Sequence, residues 1–244
     1  MRIQRAIASL KSKIIAPLGI EPPFDEHMSS NGELAFLSRL GPPRENDCIV
    51  DVGACRGEWT AEAIKFFPTL DFILFEPIPL YADRLRESFA ENVTVHQCAL
   101  SDEARDGTIH SVGIGGRIHV SQRNLARTKK TVEILPVRYQ TGDRMLAGRK
   151  PYLIKIDCEG HDAKVIRGFR NVLEVVRPIL QFEYCEFWLL ANETLRDTSA
   201  FLTERGYRLF RIFPDRLEPF TYRRTFETYN YQNFVAMTSA HMSV

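Results

Sequence analysis

The chain has 244 residues, 44% hydrophobic and 26% charged, which is the composition of an ordinary globular protein built as one α/β domain. Lysine and arginine total 32 against 31 acidic residues, so the basic excess that is typical of nucleic-acid binders is absent and no nucleic-acid partner is expected. The five cysteines form no CxxC pair, which excludes a thiolate zinc site of that type and favours a reducing, cytoplasmic compartment.

The first 20 residues carry apolar side chains at helical spacing among basic ones, namely Ile3, Ile7, Leu10 and Ile14. This apolar stretch is too short and too interrupted for a secretory signal or a membrane span. Two interpretations stay open, a capping helix packed on the domain and a helix that contacts a membrane surface or an apolar substrate. Residues 1–43 are therefore predicted to form a helical cap on the substrate side, and residues 44–244 the main domain.

Short apolar strands alternate with helices from residue 44 onwards. Strands are predicted at 47–52, 71–75, 93–99, 134–139, 152–156, 178–184, 207–213 and 233–238, and helices at 33–40, 58–67, 78–90, 162–176 and 194–205. Residues 102–131 lack periodicity, which indicates a long loop that forms a lid or contains extra strands. This order predicts an α/β fold with a seven-stranded, mostly parallel sheet and an antiparallel hairpin at one edge.

A glycine turn follows the first predicted strand and opens a helix, in the sequence Asp51-Val52-Gly53-Ala54-Cys55-Arg56-Gly57. Glycine lets the backbone approach a ligand closely, and a helix start offers N–H groups to a carboxylate. Asp51 can accept a charge-assisted hydrogen bond from a ligand ammonium. The turn therefore indicates a ligand with an amino-acid part, and a turn packed for structural reasons is the alternative.

Glu76 ends the second predicted strand, 25 residues after Asp51. An acid at about this distance binds ribose hydroxyls in nucleotide-binding folds. Dinucleotide sites also require G-x-G-x-x-G, and here an acid stands where the first glycine belongs. A nicotinamide-dependent oxidoreductase is therefore the less favoured alternative.

The third predicted strand ends at Ala99-Leu100-Ser101-Asp102. Backbone groups and a short acid at a strand end can bind the amino group of adenine. Asp102 can equally cap a turn, and both interpretations stay open.

Three acids, a lysine and a histidine follow a buried strand in the sequence Lys155-Ile156-Asp157-Cys158-Glu159-Gly160-His161-Asp162. Charge is costly to bury without a function. Asp157 or His161 can act as a general base, with Lys155 or Glu159 orienting the site. The alternative for Glu159 and Asp162 is that they cap the following helix.

These motifs, in this order, resemble the FkbM family of S-adenosylmethionine-dependent methyltransferases over residues 47–186, with a weaker similarity at Asn233-Phe234-Val235-Ala236. The matching stretches are Asp51-Val52-Gly53-Ala54 with Gly57 and Thr60, Phe75-Glu76-Pro77-x-Pro79, Ala99-Leu100-Ser101-Asp102, Lys155-Ile156-Asp157-x-Glu159-Gly160, and Glu183. The chain departs from the family at Cys55, where asparagine is usual, so one contact of the turn stays open.

The resemblance implies a Rossmann-like class I methyltransferase fold with helices on both faces of the sheet, and S-adenosylmethionine as the cofactor. It also implies methylation of a hydroxyl oxygen in a sugar, glycolipid, polysaccharide or polyketide-like natural product. By resemblance, the cofactor-binding residues are Asp51, Gly53, Ala54, Cys55, Gly57, Thr60, Glu76, Pro77, Ala99, Leu100, Ser101 and Asp102.

Three questions stay open after the resemblance is drawn. A divalent metal held by acids that include Asp157 is a second way to activate a hydroxyl, although no tight ligand cluster is visible and metal-free chemistry is preferred. A catalytically silent cofactor-binding or partner-binding module is an alternative to an enzyme. The aromatic side chains Phe187, Trp188, Tyr229 and Tyr231 can stack on a sugar face or pack in the core.

Overall fold

The computed structural model describes residues 27–112, 117–118 and 132–242. The predicted N-terminal helix lies outside these residues, as do residues 113–116 and 119–131 of the long loop predicted at 102–131. In chain order the described elements are α1 Glu33–Leu37, β1 Asp47–Val52, α2 Glu58–Phe66, β2 Asp71–Phe75, α3 Pro79–Ser88, β3 Val93–His96, β4 Ala99–Leu100, β5 Arg105–Val112, β6 Arg117–Ile118, β7 Val132–Gln140, α4 Gly142–Met145, β8 Lys150–Ile156, α5 Asp162–Gly168, α6 Arg170–Val175, β9 Ile179–Tyr184, α7 Phe187–Leu190, α8 Leu195–Thr203, β10 Arg208–Ile212, β11 Leu217–Phe220 and β12 Gln232–Met237.

The main sheet has the strand order β11-β10-β12-β9-β8-β1-β2-β3 within the described residues. Strands β9, β8, β1, β2 and β3 run parallel, and β12, β10 and β11 pair antiparallel. The predicted mostly parallel α/β sheet is therefore confirmed, but the predicted number of seven strands is wrong, because the sheet has eight. The extra strand is β11, which contains Pro219 and so gives a weak strand signal, although a proline is tolerated at a sheet edge.

The antiparallel hairpin predicted at one edge of the sheet is present. Strands β10 and β12 do pair with each other, but β12 lies between β10 and β9. The hairpin at the edge is therefore formed by β10 and β11.

A second sheet, with the order β4-β7-β5-β6, contains the segment predicted as a loop after residue 102. Strand β5 pairs antiparallel with β7 along its whole length, so the alternative of extra strands is correct for residues 105–112. The predicted strand 93–99 is also divided, since β3 ends at His96 and Ala99 pairs with Tyr139 of the second sheet. Charged residues and Gly107 conceal β5 in the sequence, because this strand buries few apolar side chains.

Helices cover both faces of the main sheet, as predicted. On one face Val50 and Val52 pack with α5 and α6, and on the other Ile49 packs with α1 and α2. This alternation along β1 is the period of two that a strand imposes. Phe36 and Leu37 of α1 belong to the same core as α2, so this helix of the predicted cap packs directly on the domain. None of the described helices is both long enough and apolar enough to cross a bilayer.

Candidate active site

The turn after β1 brings the ends of three strands together. The backbone N–H of Gly53 donates to the carbonyl oxygen of Phe75, 2.9 Å away, at the end of β2. Gly53 has a φ of 82°, and a Cβ at this position would overlap the backbone oxygen of Asp157 at the end of β8. Only glycine therefore fits where the three chain segments meet.

Gly57 has a different reason to be glycine. It lies at the start of α2 with a φ of 77°, and a Cβ there would press against the side chains of Leu85 and Phe89. This requirement comes from packing beneath the turn. Gly57 stays a predicted cofactor residue on the family resemblance alone.

Asp51 is fully buried behind the turn. One oxygen of its carboxylate accepts a hydrogen bond of 2.6 Å from the Thr60 hydroxyl, and the other lies 3.6 Å from the Lys155 ammonium. Burial raises the pKa of Asp51, and the charge of Lys155 opposes that rise. The ammonium that Asp51 meets in the structure is therefore that of Lys155, and the predicted contact with a ligand ammonium stays a prediction.

Lys155 lies between Asp51 and Asp157, the acid that follows β8. Its ammonium lies 3.2 Å from Oδ2 of Asp157. Burial alone would lower the pKa of Lys155, but the carboxylates of Asp157 and Asp51 outweigh this effect and raise that pKa well above its ordinary value. Lys155 is therefore a fixed positive charge that holds Asp157 in place.

Glu76 is 2% exposed and stabilises the turn through both of its carboxylate oxygens. These oxygens accept hydrogen bonds of 2.8 Å from the backbone N–H groups of Cys55 and Ile78. Burial raises the pKa of Glu76 to about 7. A carboxylate has about four acceptor positions, so two stay available for ligand hydroxyls.

A cavity of about 640 Å³, here called cavity 1, opens in front of Glu76. The predicted residues that line it are Gly53, Cys55, Glu76, Pro77, Ala99, Leu100, Asp157, Glu159 and His161. The motifs did not indicate the part of the wall that β5 and β7 contribute, which includes Arg105, Ile109 and Tyr139. The size lies within the usual range for a cofactor site, 300–1,000 Å³.

His161 belongs to cavity 1. Its Nε2 lies 3.0 Å from the Ser101 hydroxyl, which in turn donates to Asp102 over 3.0 Å. The single hydroxyl hydrogen is thus given to Asp102, so Nε2 carries the imidazole proton and donates to Ser101. Burial lowers the pKa of His161 to about 4, so its ring is neutral at physiological pH.

Ser101 and Asp102 lie behind this histidine and do not line cavity 1. Ser101 is fully buried, and Asp102 lies 3.5 Å from the guanidinium of Arg167. The structure therefore places both as supports of the His161 ring, and their contact with the cofactor stays a prediction.

Asp162 and Glu159 take different places in the turn after β8. The buried Asp162 accepts hydrogen bonds from the backbone N–H groups of Cys158 and Gly160, at 2.9 and 3.0 Å. Asp162 therefore stabilises the turn that precedes α5, and the capping interpretation is wrong for it, because α5 has no side-chain cap. Glu159 has a φ of 51° and lines the cavity on each side of the turn.

A second cavity of about 730 Å³, here called cavity 2, lies on the other side of this turn. Predicted residues in its wall are Gly53, Ala54, Cys55, Lys155, Asp157 and Glu159. Both cavities share Gly53, Cys55, Glu58, Asp157 and Glu159, so the two spaces meet at the ends of β1 and β8. His161 lines only the first of them.

Cavity 2 contains several residues that the motifs did not indicate, including Glu33, Trp59 and Glu186. Of the four aromatic residues considered from the sequence, Phe187, Tyr229 and Tyr231 line cavity 2, whereas Trp188 is fully buried in the core. The signal that could have indicated this region is the pair of polar residues Gln232-Asn233 in an otherwise apolar, buried strand.

Cys55 lies at the junction of the two cavities, where the family usually has asparagine. Burial raises the pKa of its thiol to about 11. A protonated thiol is a poor nucleophile, which favours an inert Cys55. Among the described residues, no three histidine, cysteine, aspartate or glutamate side chains are grouped as metal ligands.

Comparison with known families agrees with this geometry. The sequence profile of the FkbM methyltransferase domain matches residues 51–209, which is more than half of the chain. The chain belongs to the FkbM methyltransferase family. Its fold is accordingly that of class I methyltransferases, and the cofactor of its domain is S-adenosylmethionine, as the motifs predicted.

Solved structures with a similar fold include the FkbM methyltransferase from Methylobacillus flagellatus KT, with a TM-score of 0.53 and 18% identity over 85% of the present chain. The present FkbM-family chain spans about half of that structure, 48%. A precorrin-6y methyltransferase from Geobacter metallireducens GS-15 has a TM-score of 0.45 at 13% identity and 85% coverage of each chain. The plantazolicin methyltransferase, solved with S-adenosylhomocysteine, has a TM-score of 0.48 at 10% identity and covers 96% and 90% of the two chains. No curated protein matches the chain.

Proposed function

We propose that this protein transfers a methyl group from S-adenosylmethionine in cavity 1 to a hydroxyl oxygen of an acceptor in cavity 2. The supporting observation is that the two cavities meet at Gly53, Cys55, Asp157 and Glu159, where a methyl group can pass from one to the other. The acceptor class follows from the family resemblance and is a sugar, a glycolipid, a polysaccharide or a polyketide-like natural product.

The residues around cavity 1 fit the parts of S-adenosylmethionine. Glu76 is a buried acceptor with free lone pairs for two ribose hydroxyls. The backbone of the Gly53–Cys55 turn suits the amino-acid part, and Pro77, Ala99 and Leu100 suit the adenosine. When bound, the cofactor supplies an electrophilic methyl group whose leaving group is a neutral thioether.

Asp157 is the side chain that we assign as the base. An alcohol is a weak nucleophile, so its proton must be removed as its oxygen forms the new bond to carbon. Because the bound donor would lose its methyl group as a neutral thioether, charge balances when the acceptor proton moves to the Asp157 carboxylate. Asp157 borders both cavities, whereas His161 borders only cavity 1 and already donates to Ser101.

Lys155 and Glu159 are assigned to positioning. The ammonium of Lys155 holds one oxygen of Asp157 at 3.2 Å, which leaves the other oxygen for the acceptor. Glu159 lies beside Asp157 in the wall between the cavities and can orient a further acceptor hydroxyl.

The test combines calorimetric binding of S-adenosylhomocysteine with transfer of radiolabelled methyl from S-adenosylmethionine to a panel of methyl glycosides. We expect Asp157→Asn to bind S-adenosylhomocysteine within about twofold of the wild type and to lose about 10²- to 10⁴-fold in turnover, the usual contribution of a general base. The surface variant Asp83→Asn, in which only a pair with Arg86 is lost, is the control.

Two results would contradict the proposal. The first is retention of more than a tenth of the turnover by Asp157→Asn. The second is binding of S-adenosylhomocysteine by the wild type without methylation of any hydroxyl compound, which would support the catalytically silent alternative.

A further inference from the structure

A network of buried polar side chains lies behind the wall of cavity 2. Its centre is the carboxylate of Glu33, whose Oε1 accepts from the amides of Asn31 and Asn233 at 2.6 and 2.9 Å. Its Oε2 accepts from the amide of Gln181 at 2.6 Å. Three amide donors therefore satisfy one buried acid, as a buried charge requires.

This arrangement fixes which way the amides of Asn31 and Asn233 point. Burial raises the pKa of Glu33, while the charge of Lys155 and the amides of Asn31 and Gln181 oppose that rise and favour the carboxylate. A carboxylate only accepts hydrogen bonds, so both asparagine amides turn their nitrogen toward Glu33. The orientation of Asn31 is fixed a second time, because its Oδ1 accepts from the backbone N–H of Glu33 at 3.0 Å.

The same two amide nitrogens also approach the hydroxyl oxygen of Tyr231. Asn233 donates to it over 3.0 Å, and Asn31 approaches it at 3.5 Å. An amide nitrogen accepts no hydrogen bond, so these two amides offer no acceptor for the hydrogen of the Tyr231 hydroxyl. Among the described residues this hydroxyl donates to no protein acceptor, and Tyr231 lines cavity 2.

The hydroxyl of Tyr231 keeps its hydrogen at physiological pH. Burial, together with the carboxylates of Glu183 and Glu33, raises the pKa of Tyr231 far above neutrality. In cavity 2 the carboxylates of Asp157 and Glu159 are acceptors, so the hydroxyl of Tyr231 adds a donor to a wall rich in acceptors.

We propose that Tyr231 donates a hydrogen bond to an oxygen of the methyl acceptor and so determines which acceptors bind productively. A donor aimed at the reacting oxygen would withdraw electron density from the nucleophile, so the partner is a different oxygen of the same molecule. The inference rests on the proposed function, because it assigns cavity 2 to the acceptor.

The experiment measures kcat and KM for the methyl glycoside that the wild type methylates fastest, together with its monodeoxy analogues. We expect Tyr231→Phe to lower kcat/KM about tenfold, mainly through KM, while the affinity for S-adenosylhomocysteine changes by less than about twofold. With the wild type, the deoxy analogue that lacks the recognised oxygen should show a similar fall in kcat/KM. With Tyr231→Phe, the analogue that lacks the recognised oxygen should show the same kcat/KM as the parent glycoside. Every other analogue should show the same fall in kcat/KM that it shows with the wild type.

Tyr152→Phe is the matched control, because the Tyr152 hydroxyl donates to the carbonyl of Gly41 and lines neither cavity. It should leave kcat/KM for every glycoside unchanged. Equal losses for all deoxy analogues in Tyr231→Phe, or an unchanged KM, would overturn the inference and leave the proposed function intact. If the wild type binds S-adenosylhomocysteine but methylates no glycoside, the assignment of a sugar-like acceptor to cavity 2 fails, and the inference fails with it.

Discussion

Cavity 1 and cavity 2 share one wall, yet they are built from different parts of the chain. Around cavity 1 the turn is stabilised by contacts close in sequence, such as those of Glu76 with Ile78 and with Cys55, 2 and 21 residues away. Around cavity 2, Glu33 binds Gln181 and Asn233, which are 148 and 200 residues away. The proposed cofactor side is therefore encoded in strand-end motifs, whereas the proposed acceptor side depends on contacts between distant parts of the chain.

The largest effect on cavity 1 alone is expected from Glu76→Ala. This change removes the proposed acceptor for the ribose hydroxyls and leaves the N–H groups of Cys55 and Ile78 without their partner. We expect calorimetry to show an affinity for S-adenosylhomocysteine lowered about 100-fold, because both charge-assisted bonds and the turn are lost.

Glu62→Ala serves as the control for Glu76→Ala, since it removes only an exposed ion pair with Lys65. It should bind S-adenosylhomocysteine as the wild type does. A fall of less than about threefold in Glu76→Ala would show that cavity 1 does not hold the ribose at Glu76.

A smaller effect is expected in the pH dependence of the free energy of unfolding. It distinguishes the role of His161 from that of Asp157, the proposed base. The folded protein keeps His161 neutral down to about pH 4, whereas the unfolded chain takes up this proton near pH 6.5. Between these values the unfolded state binds more protons, so His161 makes the free energy of unfolding fall as the pH is lowered from 6.5 to 4.

His161→Gln should remove this dependence. Between pH 6.5 and 4, the loss in the free energy of unfolding that His161 causes should be about 2 kcal/mol. This is less than the full pKa shift would give, because the ring borders a cavity. Urea unfolding at pH 4 to 7 should therefore show a wild type whose stability advantage over His161→Gln shrinks toward pH 4. A constant difference across this range would contradict a buried, neutral His161. Turnover at pH 7 should fall less in His161→Gln than in Asp157→Asn.

Much of the fold was predictable because apolar periodicity records which faces of strands and helices are buried. The parallel strands around β1 and the acids that end them follow from that pattern and from the glycine turn. The bounds of β5 were not predictable, because its pairing with β7, rather than a run of apolar residues, defines this strand. Strand β11 was not predicted because it is a short edge strand that contains a proline.

The residues of the candidate site also divide into those that the sequence predicts and those that it does not. Glu76 and Asp157 were predictable as cavity residues because parallel strands end at one edge of the sheet. The burial of Asp51 against Thr60 and Lys155 was not, because the same turn motif is compatible with a side chain facing either the ligand or the core. Glu33 lies in a short helix far from any motif, and only folding brings it beside Gln181.

A crystal structure with S-adenosylhomocysteine tests the two-cavity account most directly. The account predicts ribose hydroxyls within hydrogen-bond distance of the Glu76 carboxylate, the adenosine against Pro77 and Leu100, and the sulfur at the junction beside Asp157. S-adenosylhomocysteine bound in cavity 2, or a ribose without contact to Glu76, would contradict it.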